Sequence, residues 1–291
     1  MSRFNYKLIL YIIGLLLLFN SAAILLTSLV SYLSEDGFFY NILNSSIICF
    51  VIGAAIMFFS KNSTKVINRR DGYLIVILGW LTMVCSGTLP YVFTNTINNI
   101  PDLIFETMSG YTTTGSSIIS DIEVLPESII FWRSMTHWLG GMGIIVLAIA
   151  ILPLLGIGGM QLFSAEAPGS GISGDKIHPR ISNTAKRLWF IYIGLTLLET
   201  FLLNIAGMSL FDAVNHSMSN IATGGFSTKN DSLSFWNTMP MVQYIIVFFM
   251  ILAGTNFLLI YLTIIGKFKK LIFNTEFIWF IGMISFFVII T

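Results

Sequence analysis

The chain has 291 residues, 55% of them hydrophobic and 10% charged, with a formal net charge of +1. A water-soluble domain carries roughly 25% charged residues, so these figures exclude one and point to lipid as the main solvent. No basic run is interleaved with aromatics, and no His/Cys pair has metal-ligand spacing, which sets aside a nucleic-acid partner and a metal centre.

Crossing the bilayer takes about 20 apolar residues. Stretches of that length run from Leu8 to Leu33, Asn41 to Ser60, Tyr73 to Phe93, Ser128 to Leu155, Arg187 to Ala206 and Met239 to Gly266, and a seventh starts near Phe277. The first is too long for a signal peptide and lacks an Ala-x-Ala cleavage site, so it reads as a retained helix. Cys49 and Cys85 lie in apolar spans and read as free buried thiols. Under six crossings, Arg3, Lys7, Lys61, Lys65, Arg69, Arg70, Lys176, Arg180, Lys186, Arg187, Lys267, Lys269 and Lys270 share one side, which the positive-inside rule makes cytoplasmic, the amino terminus with it. The other side carries Glu35, Asp36, Asp102, Glu106, Asp121, Glu123, Glu127, Asp212 and Asp231, with only Arg133 and Lys229 as basic company. Such an acidic vestibule favours cations.

Between the third and fourth spans lies Met108-Ser109-Gly110-Tyr111-Thr112-Thr113-Thr114-Gly115-Ser116-Ser117. Met218-Ser219-Asn220-Ile221-Ala222-Thr223-Gly224-Gly225-Phe226-Ser227 lies 110 positions later, between the fifth and sixth. Without a gap, Asp102 falls on Asp212, Glu106 on His216, Thr113 on Thr223, Gly115 on Gly225 and Ser117 on Ser227, the mark of a duplicated unit. Pro101 to Tyr111 spans about 16 Å as a helix, so it must enter the bilayer and turn back. Irregular backbone at that depth is tolerated only when protein buries it or it lines a watery cavity. Pro101 and Asp102 suit the start of this helix, and the negative end then faces the Thr/Gly loop.

The expected fold is therefore an all-α integral membrane protein of repeated helix/pore-loop/helix (M1-P-M2) units with an amino-terminal two-helix hairpin. The boundaries read as hairpin 1–65, first repeat 66–160, cytoplasmic Gly-rich loop 161–185, second repeat 186–272 and the start of a third at 273–291. Potassium permeation needs oxygen ligands that replace a hydration shell without holding the ion. Gly115 and Gly225 can take positive φ and let the carbonyls of Thr112, Thr113 and Thr114, and of Ala222, Thr223 and Gly224, face an axis, with the hydroxyls of Thr113 and Thr223 below.

Three polar groups within the spans have ordinary readings beside functional ones. Glu199, in the middle of a span, is a functional candidate by its cost, yet reads first as a hydrogen-bonded strut between helices. Arg133 is expected to snorkel or to pair with an acidic loop residue, and His137 to hydrogen-bond between helices. Gly140, Gly141 and Gly143 form a face for close helix approach, and Trp80, Trp132 and Trp138 read as belt anchors. Gly169 to Lys176 resembles a phosphate loop but has Asp175 where Lys is required. Ser173 within Gly171-Ile172-Ser173-Gly174 matches an intramembrane protease motif, but its predicted side is opposite to that of His216, which leaves an enzyme as a remote alternative.

The repeated loop, together with Phe131-Trp132-Arg133-Ser134-Met135-Thr136-His137-Trp138-Leu139-Gly140-Gly141-Met142-Gly143 and Gly158-Gly159-Met160-Gln161-Leu162-Phe163-Ser164-Ala165-Glu166-Ala167-Pro168-Gly169, resembles the TrkH family of the Trk/Ktr/HKT potassium transporter superfamily. The resemblance implies a potassium-conducting subunit of a bacterial uptake system in the inner (plasma) membrane, in contact with lipid, assembled as a homodimer and gated by a cytosolic TrkA-type nucleotide-binding ring. Potassium is then substrate, with no cofactor. The family's filter glycines fall on Gly115 and Gly225. Such subunits have four repeats, so this chain, with two and part of a third, reads as a fragment. A sodium-conducting or mixed-cation relative is the alternative; because a Ser for Gly exchange at the first filter position accompanies sodium permeability in plant relatives, Gly115 argues for potassium.

Overall fold

The structure, a computed structural model, describes residues 4–61, 69–143 and 178–290. Every regular element among them is helical. The chain is an all-α integral membrane protein, and four of its helices are long and apolar enough to cross a membrane.

Helix α1 (Tyr6–Ser34) and helix α2 (Phe39–Ser60) form an antiparallel hairpin. Their backbones meet at glycines: a β-carbon on Gly14 would lie 2.8 Å from the Gly53 carbonyl oxygen, and one on Gly53 2.9 Å from Leu17 Cβ. Two side chains then bond across the seam, Ser46 Oγ to the Ser21 carbonyl at 2.8 Å and Cys49 Sγ to the Leu17 carbonyl at 3.3 Å. This is packing suited to lipid, where small residues and interhelical hydrogen bonds replace a hydrophobic drive. Cys49 is a buried free thiol as expected, whereas Cys85, also free, is exposed.

Helices α3 (Arg69–Gly87) and α4 (Leu89–Thr94) continue into one another through Thr88, whose amide bonds the Val84 carbonyl, giving a single span from Arg70 to Thr94. Helix α5 (Ile100–Tyr111) has 12 residues, about 18 Å, and cannot cross. Helix α6 (Glu127–Gly141) follows; the remainder of the fourth expected span, to Leu155, and the Gly-rich loop as far as Ile177 lie outside the described residues. The second unit repeats the order: α7 (His178–Ile205), the 12-residue α8 (Leu210–Ile221), a single 3-10 turn (Ser232–Trp236) and α9 (Pro240–Ala253).

The sixth span differs from expectation. Helix α9 and α10 (Phe257–Ile264) meet at 102°, so Met239 to Gly266 is not one straight crossing. The break has a local cause. Gly254 closes α9, and Asn256 opens α10 by accepting the Leu258 amide on its side-chain oxygen at 3.0 Å, which are stop and start signals. A short α11 (Phe268–Ile272) and the apolar α12 (Thr275–Ile290) complete the chain, α12 starting two residues before Phe277.

One apolar core joins α1 to α6 and takes in Met218 of α8. Two smaller cores hold the second unit, one of them including Met142, just beyond α6. The units are thus packed through one another.

Candidate functional site

Both short helices end in the same way. The Thr113 and Thr114 amides bond the carbonyls of Gly110 and Ser109, each at 3.0 Å; the Thr223 and Gly224 amides bond those of Asn220 and Ser219, each at 2.8 Å. Thr113 has φ 53° and Thr223 φ 55°, which completes a Schellman cap in both units. A β-branched residue in the left-handed region is a genuine outlier, with a cost of about 1–3 kcal/mol that the surroundings must offset. Left-handed backbone, expected at the glycines alone, extends to these threonines. Gly115 and Gly225 do take positive φ, 76° and 92°.

The two loops meet. A β-carbon on Gly115 would overlap the carbonyl oxygen of Gly224, so the chains touch backbone to backbone. Among the described residues none donates a hydrogen bond to the carbonyls of Thr112, Thr113 and Thr114, or of Ala222, Thr223 and Gly224. The Thr112 hydroxyl bonds the Met108 carbonyl and the Thr114 hydroxyl, each at 2.8 Å. All eight expected loop residues therefore stand in two adjoining turns, with Ala222 and Gly224 buried and Thr112, Thr114, Thr223 and Gly225 exposed.

Glycines of α6 admit this arrangement. A β-carbon on Gly140 would overlap the Tyr111 carbonyl oxygen, and one on Gly141 would sit 2.7 Å from Ala222 Cα. Gly143 does not belong to that face: it has φ 64° with nothing near its missing side chain.

Different side chains brace the two loops. In the first, Glu106 on α5 accepts Ser117 Oγ at 3.0 and 3.1 Å, the Ile118 amide at 3.0 Å and Arg133 Nε at 2.9 Å. Arg133 and Glu106 are 1% and 0% exposed, so Arg133 does not snorkel; its partner is on the short helix rather than in a loop. In the second, His216 occupies the register of Glu106 and reaches Ser227 Oγ, the counterpart of Ser117, through Nε2 at 3.1 Å. Its Nδ1 faces the Asp212 carbonyl at 2.9 Å. A carbonyl only accepts, so Nδ1 carries the proton and, in the neutral ring, Nε2 accepts from Ser227.

The aspartates of the two units also differ. Asn99 Nδ2 donates to Asp102 at 3.0 Å. Asp212 receives Ser209 Oγ at 2.7 Å and, beyond capping, the Thr228 hydroxyl at 2.6 Å, tying down the returning arm.

Glu199 is wholly buried in α7 and accepts Asn220 Nδ2 at 2.5 Å, while Asn220 also donates to the Ile246 carbonyl at 3.1 Å. Asn220 thus ties Glu199 of α7 to α8 and α9, as a strut would, and its own carbonyl takes the Thr223 amide. His137 Nδ1 and Ser219 Oγ are 2.9 Å apart, the expected interhelical bond. Trp132 is buried with its indole N–H on the Gly87 carbonyl at 3.0 Å, so it is a core residue and not a belt anchor. Trp138 likewise reaches inward, to Thr196 Oγ1 at 3.1 Å. Of the acidic outer residues, Asp121 and Glu123 are engaged by Asn230, which also accepts the Ile122 amide. Ser173 lies outside the described residues.

A family model described as TrkH, cation transport protein, matches residues 39–290. The chain belongs to the TrkH family. It is 40% identical over 281 residues to the Trk system potassium uptake protein TrkH of Salmonella typhimurium, covering 96% of this chain and 58% of that protein. It is 41% identical over 256 residues to TrkH of Vibrio parahaemolyticus, covering 88% and 52%, and 33% identical over 278 residues to TrkG of Escherichia coli, covering 95% and 57%. The crystal structure of the potassium transporter TrkH from Vibrio parahaemolyticus matches with a TM-score of 0.79 at 36% identity, over 95% of this chain and 56% of that one. The chain thus spans a little over half the length of these relatives. The family is one of transporters rather than enzymes, and the chain is a multi-pass membrane protein.

Proposed function

We propose that this chain contributes to a potassium-conducting membrane subunit, and that the carbonyls of Thr112, Thr113, Thr114 and Gly115 and of Ala222, Thr223, Gly224 and Gly225 form part of its ion path. The observation that carries the reading is the meeting of two identically capped loops, Gly115 against Gly224, with carbonyls that accept no hydrogen bond from the described residues. Carbonyl oxygens held by a rigid backbone replace the water lost by a dehydrating cation, and their dipoles repel anions. Both short helices direct their negative ends at the loops, which adds to the attraction. Relatives named as potassium uptake proteins support potassium as the ion.

The same reading places the loops on the outer side of a bacterial inner membrane, with the amino terminus in the cytoplasm, the basic flanks inside and lipid around the apolar helices. It divides the chain into a hairpin at 1–65, repeats at 66–160 and 186–272 joined by a cytoplasmic segment 161–185 that from His178 is already part of α7, and the first helix of a further unit from 273. A homodimer and a TrkA-type nucleotide-binding regulatory ring on the cytoplasmic face are the expected partners.

The test is rescue of potassium-limited growth, by the native gene, in cells without other uptake systems. Growth that is restored and then lost with Gly115→Ser or Gly225→Ser, at normal amounts of protein in the membrane, supports the reading. Equal rescue by the glycine variants sinks it, and flux of sodium in place of potassium replaces the ion.

A further inference from the structure

Arg133 and Phe226 come from different repeats, and each touches what the other repeat uses. The Arg133 guanidinium holds the first loop in its plane, with Nε on Glu106 at 2.9 Å and Nη2 on Ser117 at 3.1 Å. Its carbon also stands 4.2 Å from the ring centre of Phe226, the residue directly after Gly225 of the second loop. One turn along α6, the His137 ring stacks on the same phenyl at 3.9 Å and 16°, and a β-carbon on Gly224 would collide with that imidazole. A guanidinium can do both things at once because it is flat, delocalised and weakly hydrated; a lysine ammonium has no such plane.

The second unit has no equivalent. Helix α9, the counterpart of α6, carries no Arg or His, and Gln243, 110 residues after Arg133, donates to Asn237 Oδ1 at 2.7 Å. Phe226 itself corresponds to Ser116, so the contact runs from the second loop to the first helix bundle and is not returned.

We propose that Arg133 and Phe226 act as one positioning unit that fixes the distance between the two loops and thereby the discrimination between potassium and sodium. This rests on the reading that the loops line the ion path. Neither side chain touches the ion. The selectivity that depends on them comes from holding two sets of carbonyls at a separation matched to the larger cation, since a looser pair of arms could close on the smaller one.

The experiment is a double-mutant cycle in the protein as its native gene encodes it, reconstituted in vesicles. Arg133→Lys keeps the charge and loses the plane; Phe226→Leu keeps bulk and loses the ring face; Phe226→Tyr keeps the face. Potassium and sodium fluxes are measured for each single variant and for the pair Arg133→Lys/Phe226→Leu. The expected result is a fall in the potassium-to-sodium ratio of about tenfold in each of the first two variants, no further fall in the pair, and little change in Phe226→Tyr. Effects that multiply in the pair overturn the proposal, as does an unchanged ratio in Phe226→Leu or uptake that falls only with the amount of protein inserted. Should Phe226→Leu not reach the membrane, Phe226→Met serves in its place. The same cycle run on thermal unfolding in detergent separates the two readings. Coupled melting shifts with no potassium flux in the unaltered protein would sink the ion-path reading alone, while independent shifts would sink the unit.

Discussion

The loop at Thr112 to Gly115 and its counterpart at Ala222 to Gly225 leave their helices through the same pair of hydrogen bonds and the same left-handed threonine, yet they are supported by different means. The first is backed by a buried ion pair, Glu106 with Arg133, and by Tyr111, whose hydroxyl bonds Asn20 of α1 at 2.7 Å; Asn20 in turn donates to Ser86 at 2.7 Å. The second is backed by a histidine–serine contact and borders a cavity of about 230 Å³ lined by His216, Asn220, Gly225, Ile246 and Met250 among others. Backbone conformation is therefore the same in the two loops, while the side chains behind it differ. The hairpin α1–α2, which carries no Thr/Gly loop of its own, acts as a wall for the first loop through Asn20.

The sharpest way to break this comparison is at the glycines. Gly115→Ala places a methyl group on the Gly224 carbonyl and strains a φ of 76°, so potassium flux should fall roughly 100-fold, whereas Gly225→Ala, strained but unobstructed, should lose less. Equal losses would mean that backbone strain alone matters. Next come the braces. Glu106→Ala leaves Arg133 charged, buried and uncompensated, at a cost of about 3–5 kcal/mol, while His216→Ala should cost about 1–3 kcal/mol; thermal unfolding in detergent orders the two. A smaller change tests the wall: Tyr111→Phe strands Asn20 and should cost about 1 kcal/mol, with no effect of that kind at Ile221, its counterpart.

The weakest expected effect concerns Asp36, which caps α6 from the hairpin turn. Its carboxylate accepts the Ser128 amide at 3.1 Å and hydroxyl at 2.5 Å, the Phe38 amide at 3.1 Å and the Ser31 hydroxyl. Partial burial raises its pKa, but these hydrogen bonds outweigh that and hold it below the ordinary 3.8. A depressed folded pKa contributes stability above the unfolded value that disappears as pH falls through the folded one. Asp36→Asn should thus cost about 1 kcal/mol at neutral pH, and the difference from the unaltered protein should shrink below pH 4. A difference that stays constant down to pH 2 would remove the carboxylate from this role.

Much of this was legible before folding was considered. The 110-residue register, the two short helices and the positive φ of Gly115 and Gly225 follow from spacing and from local chemistry, because caps, turns and span lengths are decided within a few residues of themselves. The bend at Gly254 to Asn256 was written in the same local code but was hidden by an apolar run long enough to cross on its own. Arg133 pairs with an acidic residue, one of its two expected readings, but neither the partner nor its burial was legible. Its distance from Glu106 in sequence, 27 residues, gives no hint that α5 and α6 bring them together in a site so buried that water cannot serve either charge. Trp132, placed at the interface by its type, is in the core for the same reason.

The sequence by itself determined the solvent, the helices and the duplicated turn, since hydropathy and backbone hydrogen bonding act over short stretches. Only tertiary packing decided that the turns touch at Gly115 and Gly224, and which buried groups brace each of them. Those contacts depend on side chains far apart in the chain meeting in a medium that cannot hydrate them.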